Sequence, residues 1–151
     1  MLTIKKILFP CDLEESSSKI LAYVVSIAEK YNSMIYLLHV VQDLPLWCVG
    51  YIPYSAPLDE LQHKALEASE KAMDRICEEQ LQGCSKLQRR TVAGDPATEI
   101  LKTIETEGID LVIMGTHGRE GLDHAIFGSV AEKAIRKSPV PILIINPYKR
   151  K

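Results

Sequence analysis

Short apolar segments alternate along the chain with longer segments in which apolar residues recur every three or four positions. The short segments predict β-strands at residues 7–9, 34–41, 87–93, 109–114 and 140–145. The second of these is almost wholly apolar, as in a strand that is covered on both faces of a parallel sheet. The third is the least apolar, because Arg89 and Arg90 interrupt it.

The longer segments have the period of amphipathic helices. The first predicted helix follows the polar segment 12–18 and has one apolar stripe, formed by Ile20, Val24, Ile27, Ala28 and Tyr31. The second runs from Leu58 to about residue 81, with Gly83 placed to end it. Between the preceding strand and this helix, residues 43–57 combine three prolines with three aromatic residues, which predicts an ordered loop or flap.

The remaining helices have clear boundary signals. Asp95 is the predicted N-cap of the third helix, Pro96 its first residue and Gly108 its end. The fourth helix is predicted at about residues 129–137. The order βαβαβαβαβ predicts one α/β domain over residues 1–151, a three-layer, doubly wound, Rossmann-like fold with a five-stranded, mainly parallel sheet. Ligands of such folds bind beyond the carboxyl ends of the strands, which points to the loops after strands one and four.

Composition narrows the function classes. The formal net charge of −2 over 151 residues gives no reason to expect nucleic acid as a partner. Only the tail, residues 147–151, is locally basic, and a solvated terminus explains it. No stretch resembles a signal peptide or a membrane span, and the four cysteines form no C-x-x-C pair. We therefore expect free thiols, no membrane association and a cytoplasmic location.

Glycines bracket the connection that follows the fourth strand. Gly115 and Gly118 leave that strand, and Gly128 precedes Ser129 at the start of the last helix. Glycine lets backbone come close to a ligand and adopt positive φ, which turns N–H groups toward one point. The helix start adds free N–H groups and the positive end of a dipole, so the predicted ligand has an anionic end. A turn followed by a capping Ser129 is the alternative interpretation.

The spacing of these glycines raises the specificity of the signal. Gly115-x2-Gly118-x9-Gly128-Ser129 resembles the nucleotide-binding signature of universal stress proteins at every fixed position. The segments 6–12, 37–40, 94–100 and 138–143 are also similar to landmarks of that family, whereas residues 42–88 have no recognisable anchor. The resemblance implies the fold of adenine-nucleotide alpha-hydrolase-like proteins and an adenine nucleotide, ATP or else ADP or AMP, as ligand.

The resemblance also implies roles for individual residues. Asp12 would accept hydrogen bonds from the ribose hydroxyls or the adenine edge, between Pro10 and Val40, which would flank the base. Met114 and Gly115 would lie along the nucleoside. The phosphates would be surrounded by Gly118, Gly128, Ser129 and Val130. The binding candidates further include Cys11, His117 and Arg119.

Several of these residues have a structural alternative. Asp12 can cap the first helix, although Ser16 to Ser18 are equally good caps. Cys11 is expected to be a small wall residue and not a reactive thiol, since no nearby cation lowers its pKa. Arg119 suits an exposed loop better than a terminal phosphate. His117 and His124 have no partners at metal spacing, so no transition-metal site is predicted, while Mg²⁺ can accompany a triphosphate through waters.

Three functions compete at this point. A nucleotide-responsive binding module with at most slow hydrolysis is favoured, because no lysine follows Gly128 as in phosphoryl-transfer loops. An enzyme cleaving ATP between its α and β phosphates is the alternative, but the loop at residues 10–16 lacks the S-G-G-x-D-S pattern and holds Glu14 and Glu15. A phosphoacceptor receiver domain is a third alternative and could use Asp12, but this chain lacks the paired acids after strand one and a suitable aspartate at the end of strand three. The resemblance implies a homodimer through the C-terminal strand, residues 140–146, which would cover an apolar edge.

Overall fold

A computed structural model describes residues 1–43, 57–116 and 128–148 of the chain. The strands in these ranges are Lys6–Pro10 (β1), Met34–Gln42 (β2), Leu87–Gly94 (β3), Leu111–Gly115 (β4) and Ile142–Ile145 (β5). The helices in these ranges are Ser16–Tyr31 (α1), Leu58–Gln80 (α2), Pro96–Glu107 (α3) and Ser129–Lys137 (α4). The predicted order and class are confirmed, and the strand boundaries differ from the predicted ones by one or two residues.

The strands form one sheet in the order β3-β2-β1-β4-β5, and every neighbouring pair is parallel. Strand order therefore reverses at β1, which pairs with β2 on one side and with β4 on the other. The interrupted segment at Arg89 and Arg90 is a strand because β3 lies at an edge of the described sheet, where these side chains remain exposed. Arg89 forms an ion pair there with Asp74 of α2.

Alternate residues of the central strands point into two separate apolar layers. On one face, Ile7 and Phe9 pack with α1 and with Met73 of α2. On the other face, Leu8 and Val112 pack with residues of α3 and α4. Both faces of β1 and β4 are thereby covered, and this explains why these two strands have almost no polar side chains.

The first helix differs in two details from the sequence prediction. Its N-cap is Glu15, without a side-chain capping bond, and Ser16 and Ser17 are buried inside its first turn, so neither Asp12 nor a serine, the candidate caps, is the N-cap. Tyr31, the last residue of the helix, is 47% exposed, and Leu21, which is not part of the predicted stripe, is buried. Ile20, Val24 and Ala28 of the predicted stripe are buried, so the buried part of the stripe ends at Ala28, before the last turn of the helix.

The second helix spans the predicted range to within one residue, but Gly83 is not its cap. It ends at Gln80, and the N–H of the C-cap Leu81 donates to the Cys77 carbonyl at 3.1 Å. Gly83 lies in the turn beyond, with φ +82, a backbone conformation in which a side chain would be strained. Gly83 therefore redirects the chain toward β3 and does not itself end the helix.

The third helix begins and ends as the sequence predicts. Asp95 accepts hydrogen bonds through Oδ2 from the Thr98 N–H at 3.0 Å and the Thr98 hydroxyl at 2.8 Å. At the other end, Gly108 is left-handed with φ +62, and its N–H donates to the Ile104 carbonyl. These bonds satisfy backbone groups that a helix leaves without partners at its ends.

Replacing Asp95 tests this cap. The two Thr98 hydrogen bonds lower the pKa of the Asp95 carboxyl, so its stabilisation is present above about pH 4 and is lost as pH falls through the folded-state pKa. We expect Asp95→Ala to lower the free energy of unfolding at pH 7 by about 1 kcal/mol in urea titrations. Asp95→Asn should remain near wild type at pH 7 and show a weaker loss of stability below pH 4. Equal losses in the two variants would contradict this account.

Candidate functional site

The candidate site begins where β1 and β4 stop pairing. The last residues that they pair are Leu8 and Val112, whereas β1 continues to pair with β2 as far as Pro10 with Leu38. The carboxyl ends of the two central strands are therefore not joined by backbone pairing between described residues. A crevice at such a reversal of strand order is the usual ligand site of a doubly wound sheet.

A cavity of about 590 Å³ occupies this crevice. All the sequence-predicted site residues that the structure describes line it, namely Pro10, Cys11, Asp12, Val40, Met114, Gly115, Gly128, Ser129 and Val130. They come from four elements or their flanking loops and from distant parts of the sequence. Their presence around one cavity is a finding, and their contacts with a ligand stay predictions.

The other predicted candidates, His117, Gly118 and Arg119, lie outside the described residues. The same is true of most of the predicted flap at residues 43–57 and of residues 149–151 in the basic tail. The assignments made for these segments therefore stay predictions.

Asp12 is held in a tight turn between β1 and α1. Its Oδ1 accepts hydrogen bonds from the Glu14 N–H at 3.0 Å and from the Ser17 hydroxyl at 2.5 Å. The carboxylate thus caps the turn that precedes α1 and reaches the helix through Ser17, without being the helix N-cap. Both bonds use Oδ1, and neither uses Oδ2. Asp12 itself lines the cavity.

Cys11 lies beneath this turn. Its side chain is 4% exposed, and burial is the main reason why the pKa of its thiol is raised above the usual value. A raised pKa keeps the thiol protonated at neutral pH, so it is a poor nucleophile and a poor metal ligand. The structure thereby supports the interpretation of Cys11 as a small wall residue.

The opposite wall of the cavity is the beginning of α4. The first helical hydrogen bond between described residues runs from the Glu132 N–H to the Gly128 carbonyl at 2.9 Å. The N–H groups of Ser129, Val130 and Ala131 precede it and form no hydrogen bond with the described residues. Such a helix start attracts anions through its N–H groups and its dipole.

Two expectations for the glycines are wrong. Gly128 does not supply a free N–H, because that group donates to the Thr116 carbonyl at 2.7 Å. Neither Gly115 nor Gly128 has positive φ: Gly115 continues β4, and Gly128 is extended with φ −67. A left-handed conformation therefore does not explain glycine at these two positions, and what the structure shows is that both residues line the cavity.

The sequence reasoning missed other residues of the wall. His39, Glu14 and Thr116 also line the cavity. Of these three, only His39 could have been found from the sequence, because residues 34–41 are otherwise apolar and their only other titratable residue is Tyr36. The charged side chains among the described lining residues are the carboxylates of Asp12 and Glu14, without a lysine or arginine.

The structure also bears on metal binding and on membranes. Within residues 1–43, 57–116 and 128–148, no group of three or more His, Cys, Asp or Glu side chains is placed to hold a metal ion. In the same part of the chain, no helix combines the length and the apolar character needed to cross a bilayer.

Nearly the whole chain matches a known family. The family model of the universal stress proteins aligns with residues 3–146, which include all strands and helices described above. The chain belongs to the universal stress protein family. Universal stress protein MJ0577 of Methanocaldococcus jannaschii is 32% identical over 153 aligned positions, which cover 94% of each chain. A solved structure of MJ0577 has a TM-score of 0.82 at 33% identity, with 99% of both chains covered.

More distant members of the family share the fold. A universal stress protein solved in complex with cAMP is 16% identical and has a TM-score of 0.61, covering 96% of this chain and 98% of its own. A universal stress protein from Archaeoglobus fulgidus, solved in complex with dAMP, is 17% identical with a TM-score of 0.61, covering 97% of this chain and 100% of its own. At these identities the likeness concerns the fold alone.

Proposed function

We propose that this universal stress protein binds an adenine nucleotide, ATP above all, as a regulatory ligand in the stress response, with at most slow hydrolysis. The observation that carries the proposal is the cavity between β1 and β4, with the Asp12 carboxylate on one wall and the start of α4 on the other. Hydroxyl groups of a ribose suit the first wall, and phosphate oxygens suit the second. The family members solved with cAMP and dAMP support the choice of an adenine nucleotide.

Regulation is favoured over phosphoryl transfer by the chemistry of the wall. Fast transfer needs cationic groups on the phosphates and a group that positions the nucleophile. The residues after Gly128 are Ser129 and Val130, and the described wall has neither lysine nor arginine. Because Asp12 and Glu14 add negative charge, we propose that Mg²⁺ accompanies ATP and offsets the charge of its phosphates.

The proposal also covers the extent of the domain, the cellular location and the partners of the protein. It treats residues 1–151 as one universal stress protein domain. Cys11, Cys77 and Cys84 are free thiols, which suits a reducing compartment, and a cytoplasmic location is proposed on that basis. Neither nucleic acid nor a membrane is proposed as a partner, given the net charge of −2.

A homodimer is proposed through β5 and its surroundings at residues 140–146. β5 lies at an edge of the described sheet, so one side of its backbone is not paired by another described strand. Leu143 on this strand is 39% exposed, and Ile135 on the adjoining α4 is 42% exposed. An apolar edge of this kind is a liability unless another chain or segment covers it, and a second copy related by a twofold axis would do so.

Ligand binding is tested directly on the native protein. We expect acid to release an adenine nucleotide from protein purified under native conditions, as identified by mass. Protein stripped of ligand should melt about 5 °C or more higher with saturating ATP and Mg²⁺, because a ligand at about 100 times its Kd stabilises by roughly 2.7 kcal/mol. EDTA should reduce the shift with ATP more than the shift with AMP, which has fewer charges to offset. The proposal fails if no nucleotide is released and ATP leaves the melting temperature unchanged.

Gly128→Val tests the phosphate end of the site. The extended backbone at Gly128 accepts a branched residue, so the fold should persist, while the new side chain crowds the cavity. We expect ATP affinity by calorimetry to fall about tenfold to a hundredfold, since overpacking costs about 1 to 3 kcal/mol. Lys137→Val, an exposed change at the far end of the same helix, is the control and should bind as wild type does. Unchanged affinity in Gly128→Val would refute the assignment.

Sedimentation tests the dimer. Wild type should sediment as a dimer at micromolar concentration, and Leu143→Glu should shift it toward monomer, because a carboxylate in an apolar contact loses its hydration. Leu61→Glu is a matched control, since Leu61 is 42% exposed on α2, away from β5. A wild-type monomer, or equal effects of the two variants, would count against this interface.

A further inference from the structure

The peptide groups of Cys11 are fixed by β2 on both sides of the residue. The Cys11 N–H donates to the Leu38 carbonyl at 2.8 Å, one step beyond the last residue of β1. The Cys11 carbonyl lies 2.7 Å from Nδ1 of His39. The second bond is made by a side chain, so this fixation depends on the residue type at position 39.

The partner of His39 determines which ring nitrogen is protonated. A carbonyl oxygen can only accept a hydrogen bond, so Nδ1 must be the donor. In a neutral ring, Nε2 then has no proton. The ring is half-buried in the wall of the cavity, and its Nδ1–H is engaged with the loop between β1 and α1.

The loop that His39 holds contains a backbone conformation that few residues adopt. Leu13 has φ +65, and in residues 1–43, 57–116 and 128–148 only Asn32 shares a positive φ among residues other than glycine. Such a conformation persists only where the surroundings impose it. Before Leu13, the His39 bond fixes the carbonyl of Cys11. After Leu13, the Glu14 N–H donates to the Asp12 carboxylate and closes the turn.

We propose that His39 is a positioning residue for ligand binding: its Nδ1–H···O=C bond to Cys11 holds the left-handed turn at Leu13 and thereby places the Asp12 carboxylate in the cavity wall. The inference rests on the proposed function, since it assigns a role within that site. It adds a determinant of affinity that acts through Asp12 and needs no contact with the ligand.

Two substitutions separate the hydrogen bond from the bulk of the ring. His39→Asn keeps a donor nitrogen at the same distance from the backbone as Nδ1, whereas His39→Leu keeps the branching at Cγ and has no donor. We expect the leucine variant to bind ATP about tenfold more weakly and the asparagine variant to remain within about threefold of wild type. Equal losses in the two variants would overturn the proposal.

A double-mutant cycle tests whether His39 acts through Asp12. In an Asp12→Ala background, His39→Leu should weaken ATP binding further by less than about twofold, because the group that it positions is gone. Losses that multiply independently would show that His39 acts on binding by another route and would overturn the role assigned to it.

Measurements on ligand-free protein keep this inference distinct from the proposed function. Long-range ¹H–¹⁵N correlation at about pH 8, where a histidine ring is ordinarily neutral, should show the proton of His39 on Nδ1. The Glu14 amide should exchange with solvent about tenfold faster in the leucine variant and near the wild-type rate in the asparagine variant. A proton on Nε2, or equal exchange in all three proteins, would overturn the proposal even if ATP binds.

If wild type binds no nucleotide, the proposed function fails, while the tautomer and the exchange rates still decide whether His39 holds the turn. Should the leucine variant not fold, the wild-type tautomer and the asparagine variant decide the question.

Discussion

The candidate site depends on the place where backbone pairing between β1 and β4 ends. Up to Leu8 and Val112 the two strands lie side by side in one ladder, and beyond them each strand is held only by its other neighbour. The gap is a consequence of topology, since the chain leaves β1 toward α1 on one face and leaves β4 toward α4 on the other. The strand order therefore opens the cavity, and the side chains around it form its walls.

Those walls differ in electrostatic character. The loop after β1 presents carboxylates, whereas the start of α4 presents N–H groups and the positive end of a helix dipole. A ligand with hydroxyl groups at one end and phosphates at the other matches this polarity, and a purely anionic ligand matches only half of it. The same polarity explains why a divalent cation is expected with a triphosphate, since its third phosphate adds charge that one helix start does not offset.

The sequence predicted the fold more fully than the site. Hydrophobic periodicity was sufficient for the strand and helix order, and cap residues such as Asp95 and Gly108 located α3 to the residue, because those signals are local. The spaced glycines led to residues that line the cavity, but part of the reasoning was wrong: Gly128 is extended and its N–H donates to the Thr116 carbonyl, which no local pattern reveals. His39 was overlooked as well, since its partner Cys11 is brought to it by the pairing of β1 with β2.

The two walls have separate supports in the sheet. Bonds from β2 to Cys11 hold the Asp12 loop, whereas Gly128 at the start of α4 is tied to Thr116, whose own N–H donates to the Ile145 carbonyl of β5. A nucleotide bound as proposed would contact both walls and would therefore connect the β2 side of the sheet to the β5 side across the ends that lack backbone pairing. Its binding energy would act where β1 and β4 have no backbone pairing between described residues, and the start of α4 is joined through Thr116 to the edge proposed for dimerisation. The two hydrogen bonds from Gly128 to Thr116 and from Thr116 to Ile145 are the path by which the proposed ligand would act on the edge proposed for dimerisation.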